Sequence, residues 1–156
     1  MDSYTLDSTD IGILNLLQND AHIGHKEIAH ILKRNKSTIS ERIHRLKERG
    51  YILQSVTIVN LSKVMPIFLV FTFIELRAHS EENFRKFKQK MIELPQIMEC
   101  YHITGRYDFK LKIAVSDMAQ YNELLSKHVA SFDFVGKIET FSVIDQTKMK
   151  TSFQLK

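Results

Sequence analysis

The chain has 156 residues, with 22 Lys and Arg against 18 Asp and Glu and a formal charge of +4. This length fits one domain or two small ones. Hydrophobic residues make up 44% of the sequence, which is enough apolar surface to offset chain entropy and excludes disorder as the main state. The single cysteine, Cys100, excludes an internal disulfide and a thiolate zinc cage.

Neither a membrane span nor a signal peptide is expected. The longest unbroken apolar run covers only residues 67–71, and the first four residues have neither a basic region nor an apolar stretch behind them. We therefore expect a cytoplasmic protein.

Positive charge is concentrated between Gly24 and Gly50. This stretch holds eight Lys and Arg against three Glu. Such a basic patch attracts a phosphate backbone, although a solvated helix face without a partner has the same composition.

The first predicted helix begins at Asp7. Asp7 can act as its N-cap, and Asp10, three residues later, is an imperfect capping-box partner because Glu or Gln is usual there. Leu6 and Ile11 have the spacing of a hydrophobic staple. The apolar stripe stops at residues 18–20, which are all polar.

Two further short helices are predicted before Gly50. The second begins around Gly24, where Ile23 and Ile28 again have staple spacing. The third begins at Asn35, as a cap, and ends with Gly50 in the C′ position.

Two short helices joined by three or four residues, with the second polar and basic on its outer face, outline a helix-turn-helix. Charge and spacing fit a small helical bundle with a solvated face equally well, and the order of the helices favours DNA. In the DNA reading, the polar side chains reach base edges while Arg42, Arg45 and Arg49 reach phosphates. The predicted DNA-binding residues are Lys36, Ser37, Thr38, Ser40, Glu41, Arg42, His44 and Arg45.

The rest of the chain predicts a ferredoxin-like βαββαβ domain, so the fold class is α+β with an N-terminal winged-type helix-turn-helix. We place the boundary so that residues 1–61 form the helix-turn-helix domain with a connector strand and residues 62–156 form the βαββαβ domain. The predicted order is a strand at 67–76, a helix from Ser80 to Pro95, strands at 97–104 and 107–115, a helix from Ser116, and a strand at 135–144.

Three details of this second domain are specific enough to test. Gly105 and Arg106 are predicted to form a two-residue type II′ hairpin, in which glycine supplies the positive φ. Met118 is placed on the inward face of the last helix. The first strand is apolar on both faces, so a dimer partner is expected to cover the face that the helices leave open.

Several short motifs follow one another along the chain. They are Leu6-Asp7-x-x-Asp10-x-x-Ile13-Leu14, Arg42-Ile43-x-Arg45-Leu46-x-x-x-Gly50-x-Ile52, Pro95-x-Ile97-x-x-Cys100, Thr104-Gly105-x-Tyr107-Asp108, and Lys148 near the end. With these motifs in this order, nearly the whole chain resembles the Lrp/AsnC group of feast/famine transcriptional regulators.

This resemblance implies a DNA-binding regulator of transcription that responds to an amino acid and assembles through dimers, commonly into octamers or larger discs. It implies that residues 1–61 bind DNA and that residues 62–156 form the ligand-binding and oligomerisation domain. It implies that the effector lies between neighbouring dimers, beside the hairpin, with the last strand contributing to the response. The effector-binding residues implied in this way are Gly105, Arg106, Tyr107, Asp108, Thr140, Phe141 and Ser142.

The chain departs from the family pattern at three places. Lys33-Arg34-Asn35 replaces the Gly-apolar-Ser that is usual in the turn, His22 replaces an arginine, and Phe109 replaces a tyrosine. The first two departures affect the turn geometry and one phosphate contact.

Asp108 has two readings. It is either an edge charge on the polar face of its strand, or it holds an effector's ammonium group, which the resemblance favours. Gly105 is needed for the turn in both readings.

The main rival function is a small-molecule-binding or enzymatic oligomer of ferredoxin-like fold, in which the basic helices serve assembly only. The sequence offers no Gly-rich phosphate loop, no Ser/His/Asp pattern and no paired carboxylates, so we expect no enzyme and no cofactor. The seven histidines lack metal-ligand spacing, and Cys100 is expected to be a buried small hydrophobe.

Overall fold

The computed structural model describes residues 4–156, which divide into two compact units. The first unit takes in the chain up to Ile58 together with Lys148–Lys156, and the second is Val59–Thr147. The first is helical and the second combines helices with one sheet, so the predicted α+β class is confirmed. No helix among these residues is long and apolar enough to cross a bilayer.

The first unit contains three helices, α1 (Ser8–Asn19), α2 (His25–Leu32) and α3 (Lys36–Glu48). The capping box that starts α1 is complete. The Asp7 carboxylate accepts hydrogen bonds from the amides of Thr9 and Asp10 at 2.8 and 2.9 Å, and the Asp10 carboxylate accepts from the Asp7 amide. The helices bury a common core that consists of Ile13, Leu14, Ile28, Ala29, Ile39, Ile43 and Leu46.

Both α2 and α3 end in the same hydrogen-bond pattern. At the end of α3, the Tyr51 amide donates to Leu46 and the Gly50 amide to Lys47, which is a Schellman motif with Gly50 at φ 75°. The end of α2 repeats the pattern with Lys33, at φ 52°, in the position of the glycine.

The last nine residues pack with the helices of the first unit. Hydrogen bonds join Asn15 and Gln18 of α1 to the main chain of Leu155 and Phe153. The sequence boundary after residue 61 leaves this tail with the second domain, whereas the structure groups it with the first unit because these contacts are made there.

The second unit follows the order strand, helix, strand, strand, helix, strand. Its elements are β1 (Phe68–Leu76), α4 (Glu81–Glu93), β2 (Ile97–His102), β3 (Phe109–Val115), α5 (Met118–Leu124) and β4 (Val135–Ser142). A short 3₁₀ turn (Leu61–Lys63) precedes β1, and a π-helical turn (Leu125–Val129) continues α5.

The sheet has the order β2-β3-β1-β4, with every neighbouring pair antiparallel. This order confirms the ferredoxin-like arrangement. One face packs against the helices and buries Phe87 of α4 against Phe109 of β3, with ring centroids 4.5 Å apart. The other face, which we call the open face, carries the half-buried Phe71 and Phe73 of β1.

Three sequence predictions about this unit are wrong. The β2–β3 connection is a four-residue loop (104–107) rather than a two-residue hairpin, because the Ile103 amide bonds to the Asp108 carbonyl and closes the ladder earlier. Gly105 does have a positive φ, 115°. Met118 is exposed at the first position of α5, and Cys100 is exposed on the edge strand β2, which has a neighbour on one side only.

Candidate nucleic-acid interface and effector site

The outer face of α3 presents a row of polar side chains to solvent. Buried Ile39, Ile43 and Leu46 hold the other face against α1 and α2. The exposed members of the predicted DNA-binding set are Lys36, Ser37, Ser40, Glu41 and His44, and Thr38 is half-buried. Along this row, His44 lies 3.1 Å from Glu48 of the next turn.

Arg42 turns away from this row and pairs with two carboxylates of the first turn of α1. Its Nη1 donates to Asp7 at 2.7 Å and to Asp10 at 2.9 Å. Asp10 is almost completely buried, so the arginine neutralises a charge inside the unit. The hydrogen bond from the Asp10 amide and the Arg42 guanidinium together hold the pKa of the Asp7 carboxyl below its ordinary value. The structure thus places Arg42 in a contact that orients α3.

Tyr4 joins the arginines of α3 to this cluster. Arg45 and Arg49 lie over its ring, with the guanidinium carbons 4.8 and 4.7 Å from the centroid. The Tyr4 hydroxyl donates to Asp10 at 2.6 Å, and burial, followed by this contact, raises the pKa of Tyr4. Sequence reasoning missed Tyr4, since the chain carries no local signal that a residue before the helix will meet arginines more than 40 positions later.

The loop between β2 and β3 holds the first part of the predicted effector-binding set, residues 105–108, at one end of the sheet. The Asp108 carboxylate is mostly buried, and its Oδ2 accepts from the Leu76 amide at 2.7 Å, beside an irregularity in the β1–β4 pairing. The same oxygen lies 3.0 Å from Nε2 of His79, whose ring stacks on Phe84 of α4. His79 was not among the predicted site residues.

Tyr107 lies in an aromatic group with side chains of the open face. Its ring centroid is 5.6 Å from that of Phe73, which in turn contacts Phe141 of β4. Arg106 and Lys137 lie over the Tyr107 ring at 5.5 and 5.9 Å. The Tyr107 hydroxyl is buried and has no hydrogen-bond partner among residues 4–156.

Thr140 does not join this group. It pairs with Thr72, which is fully buried on the helix side of the sheet, and its hydroxyl hydrogen-bonds to Tyr121 of α5. Ser142 is exposed and pairs with Val70 at the far end of β4. Within the second unit, the predicted effector set therefore divides. Arg106, Tyr107 and Phe141 come together, Asp108 meets His79, and the two hydroxyl residues of β4 lie elsewhere.

The described residues contain no cluster of side chains that could bind a metal ion. Across residues 4–156, no three His, Cys, Asp or Glu side chains lie together in a way that could hold a metal ion.

Two family models together cover most of the chain. One, described as winged helix-turn-helix DNA-binding, matches residues 6–52. The other, described as the Lrp/AsnC ligand binding domain, matches residues 69–153, which is more than half of the sequence.

Known proteins match over almost the full length. The leucine-responsive regulatory protein of Escherichia coli K12 is 29% identical over 151 residues, which cover 97% of this chain and 92% of the relative. An AsnC family transcriptional regulator from Agrobacterium tumefaciens has a solved structure that superposes with a TM-score of 0.86 at 26% identity, covering 95% of this chain and 96% of that one. A Neisseria meningitidis transcriptional regulator, solved as a complex with L-Met, shares the fold at a TM-score of 0.86 and 22% identity, with 96% of each chain covered. From these matches, and from a helix-turn-helix unit followed by a β2-β3-β1-β4 sheet unit, we conclude that this chain belongs to the Lrp/AsnC family of DNA-binding transcriptional regulators.

Proposed function

We propose that the protein binds specific DNA sites as a dimer or a multiple of dimers, with α3 in the major groove. The observation that carries this proposal is that α3 presents a row of polar side chains to solvent, while its opposite, apolar face packs against α1 and α2. Lys36, Ser37, Thr38, Ser40, Glu41 and His44 would meet base edges. One short helix reads few base pairs, so a symmetry mate is needed for useful affinity.

The three arginines of α3 have different tasks in this proposal. Arg42 orients the helix through Asp7 and Asp10 and contacts phosphate at most weakly, since its guanidinium is already neutralised. Arg45 and Arg49 are held over Tyr4 without a carboxylate partner of their own in the described part of the chain, which leaves their charge for the DNA backbone.

We propose that a free amino acid is the effector and that it binds beside the loop at residues 104–107. An amino acid carries an ammonium and a carboxylate, so its site needs an acceptor and donors close together. Asp108 offers the acceptor, and the buried Tyr107 hydroxyl and the backbone amides around Gly105 offer donors. The Neisseria regulator solved with L-Met and the leucine-responsive relatives support this ligand class.

Assembly completes the proposal. The open face carries aromatic side chains that are only half-buried or exposed, among them Phe71, Phe73 and Phe141. A second copy would cover this face, and dimers would join into higher oligomers, an octamer first among them. The effector would then lie between dimers, with Thr140 and Ser142 of β4 transmitting the response.

In this proposal the protein catalyses no reaction and works in the cytoplasm, beside the DNA that it regulates. Residues 1–61 serve DNA binding, and residues 62–156, apart from the tail, serve effector binding and assembly.

A DNA-shift experiment with genomic fragments at low salt tests the first part. Replacing Ser40 or His44 by Ala should change which fragments are preferred, whereas Arg49→Ala should weaken binding to all fragments and lower the salt slope by about one unit. If the wild-type protein shifts no fragment, the rival reading of the basic helices as an assembly element is favoured.

A calorimetric screen of the common amino acids tests the second part. Asp108→Asn should weaken binding of the amino acid that the wild-type protein binds, and DNA binding without the amino acid should stay intact. Thr104→Ala, in the same loop, is the matched control and should bind nearly as the wild type does. A binder that is indifferent to Asp108 would rule out this site.

A further inference from the structure

The C-terminal tail is held on α1 by its main chain. The Asn15 side-chain amide donates to the Leu155 carbonyl at 3.1 Å and accepts from the Leu155 amide at 2.9 Å. Gln18 repeats this two-way contact with Phe153, at 3.0 and 2.8 Å. Two carboxamides thus satisfy both polar groups of two alternate tail residues, as a neighbouring strand would.

This contact depends on the spacing of both partners. Asn15 and Gln18 are three apart on a helix and share one face. Residues 153 and 155 are two apart in a segment without helix or strand, and the hydrogen bonds show that the main-chain groups of both face α1. Leu155 also packs against the helical core and lines a groove of about 840 Å³ with Leu14, Leu17 and other residues of this unit. The side-chain amides of Asn15 and Gln18 therefore bind the main chain of the tail, and the packing of Leu155 determines which tail residues they meet.

Docking of the tail adds a second connection between the two units. The chain leaves the first unit after Ile58, forms the second unit, and returns to the first unit at Lys148. With the tail undocked, a single connection joins the two units. With the tail docked, two connections join them, and the freedom of the DNA-binding unit to reorient is reduced.

We propose that docking of the tail on Asn15 and Gln18 sets the half-site spacing that the protein accepts on DNA. This inference rests on the dimeric DNA binding proposed above. Two recognition helices on a dimer must meet half-sites separated by about one helical turn of DNA or a multiple of it. A unit held by two connections is preorganised for one spacing, whereas a unit held by one connection adapts to several spacings and loses orientational entropy on binding.

Hydrogen exchange tests the docking itself. In the full-length protein, the amides of Phe153 and Leu155 should be protected, and the double change Asn15→Ala and Gln18→Ala should speed their exchange by on the order of tenfold or more. Asn19→Ala is the matched control, because the Asn19 side chain lies on the same helix but, among residues 4–156, donates a hydrogen bond to the Asn15 carbonyl and to no group of the tail. Tail amides that exchange at the unprotected rate in the wild type would overturn the proposal.

Selection of binding sites from random duplex DNA tests the consequence. The wild-type protein should enrich one half-site sequence at one spacing, and the double variant should enrich the same half-site over several spacings. At the wild-type spacing we expect the variant to bind roughly threefold to tenfold more weakly. A chain that ends at Lys150, which lacks the docked residues altogether, should behave like the double variant.

The two arms separate the possible failures. Protected tail amides together with an unchanged spacing in both variants would overturn the role in spacing, since the tail would then be docked without consequence. If the wild type enriches no pair of half-sites, both dimeric DNA binding and the role of the tail in spacing are wrong. The hydrogen-exchange data then show whether the tail is docked, independently of DNA binding.

Discussion

The two units of the molecule differ in the size of their apolar cores and in the polar contacts that supplement those cores. Within the part of the chain that the structure describes, the core of the second unit has fourteen buried side chains and that of the first has seven. The first unit adds polar contacts between distant residues, namely Arg42 with Asp7 and Asp10, the arginine stacking on Tyr4, and the amides that hold the tail. The second unit also has polar contacts between distant residues, such as Asp108 with the Leu76 amide, and it adds aromatic contacts around Phe87 to its larger apolar core.

This difference follows from size and has a functional consequence. A small helical unit buries a smaller fraction of its surface than a larger domain does, so we expect polar contacts to contribute more to how α3 lies on the other two helices. The orientation of the recognition helix should therefore respond to pH and to single charge changes. The sheet unit, which provides the surface for assembly, should respond mainly to changes in packing.

The largest expected effect is on the aromatic core of the sheet unit. Phe87 is fully buried and contacts Phe109 and Phe132, so Phe87→Ala should lower the free energy of unfolding of this unit by about 3–5 kcal/mol. Urea unfolding followed by hydrogen exchange of β3 measures it. Ile92→Ala on the same helix is the control, because Ile92 is 77% exposed and its truncation should cost less than about 0.5 kcal/mol. Equal losses in the two variants would show that aromatic packing does not distinguish this unit.

The next largest effect is expected at Arg42. Replacing it by Met keeps most of the volume but leaves the buried Asp10 without its cation, which should cost the helical unit about 1.5–3 kcal/mol, the range for a hydrogen bond to a charged group. We expect faster amide exchange throughout α3 and little change in β3. Lys36→Met, at an exposed position of the same helix, should leave the exchange of α3 nearly unchanged. Loss of DNA binding by Arg42→Met with full stability would instead assign Arg42 to a phosphate contact.

Much of the fold could be predicted from local signals. Asp7 with Asp10 marked the start of α1, and Gly50 marked the end of α3, because caps depend on residues within one turn. The strand predicted at 107–115 corresponds to β3, which buries every second residue from Phe109 to Val115. In these cases the determining interactions lie within a few residues of each other.

The parts that could not be predicted depend on contacts between distant residues. Arg42 meets Asp7 only once α3 packs on α1, 35 residues later in the chain. The register that pairs Thr72 with Thr140 directs Thr140 to the helix side, away from Tyr107. No property of residues 105–108 alone indicates that His79 will lie against Asp108.

Acid should weaken the first unit through Asp7. Its folded-state pKa is lowered, so its stabilising contribution is complete above the pKa of the unfolded chain, about 3.9, and is lost as the pH falls through the lower folded value. Asp7→Asn keeps an N-cap but loses the charge that pairs with Arg42. The variant should therefore be less stable than the wild type at pH 7, and the difference should close below about pH 4.

Asp117 is the matched control for this change. It is the N-cap of α5 and accepts a hydrogen bond from the Gln120 amide, and its pKa is also lowered, chiefly by this hydrogen bond. Asp117 forms no ion pair among the described residues, so Asp117→Asn should alter stability less. Urea titrations at several pH values compare the two variants, and equal pH dependence would mean that the cap alone, without Arg42, lowers the pKa of Asp7.

The smallest expected effect concerns the two Schellman motifs, which differ in the residue at positive φ. Lys33 has a Cβ in a left-handed conformation, which an L-residue adopts only at an energetic cost. Lys33→Gly should relieve this strain and, after the greater entropy of the unfolded glycine chain is deducted, raise the stability of the first unit by roughly 0.5–1 kcal/mol.

Lys33→Ala separates strain from charge, because it removes the ammonium and keeps the Cβ, and it should give no such gain. At the other motif, a Cβ at Gly50 would meet no atom of the described residues within 4 Å, so Gly50→Ala introduces backbone strain alone and should lower stability by about 1 kcal/mol. Thermal melting of the three variants measures these differences. Opposite signs for Lys33→Gly and Gly50→Ala would assign the difference between the two helix ends to the left-handed residue, whereas a loss of stability in Lys33→Gly would show that the lysine side chain makes a stabilising contribution at the turn before α3.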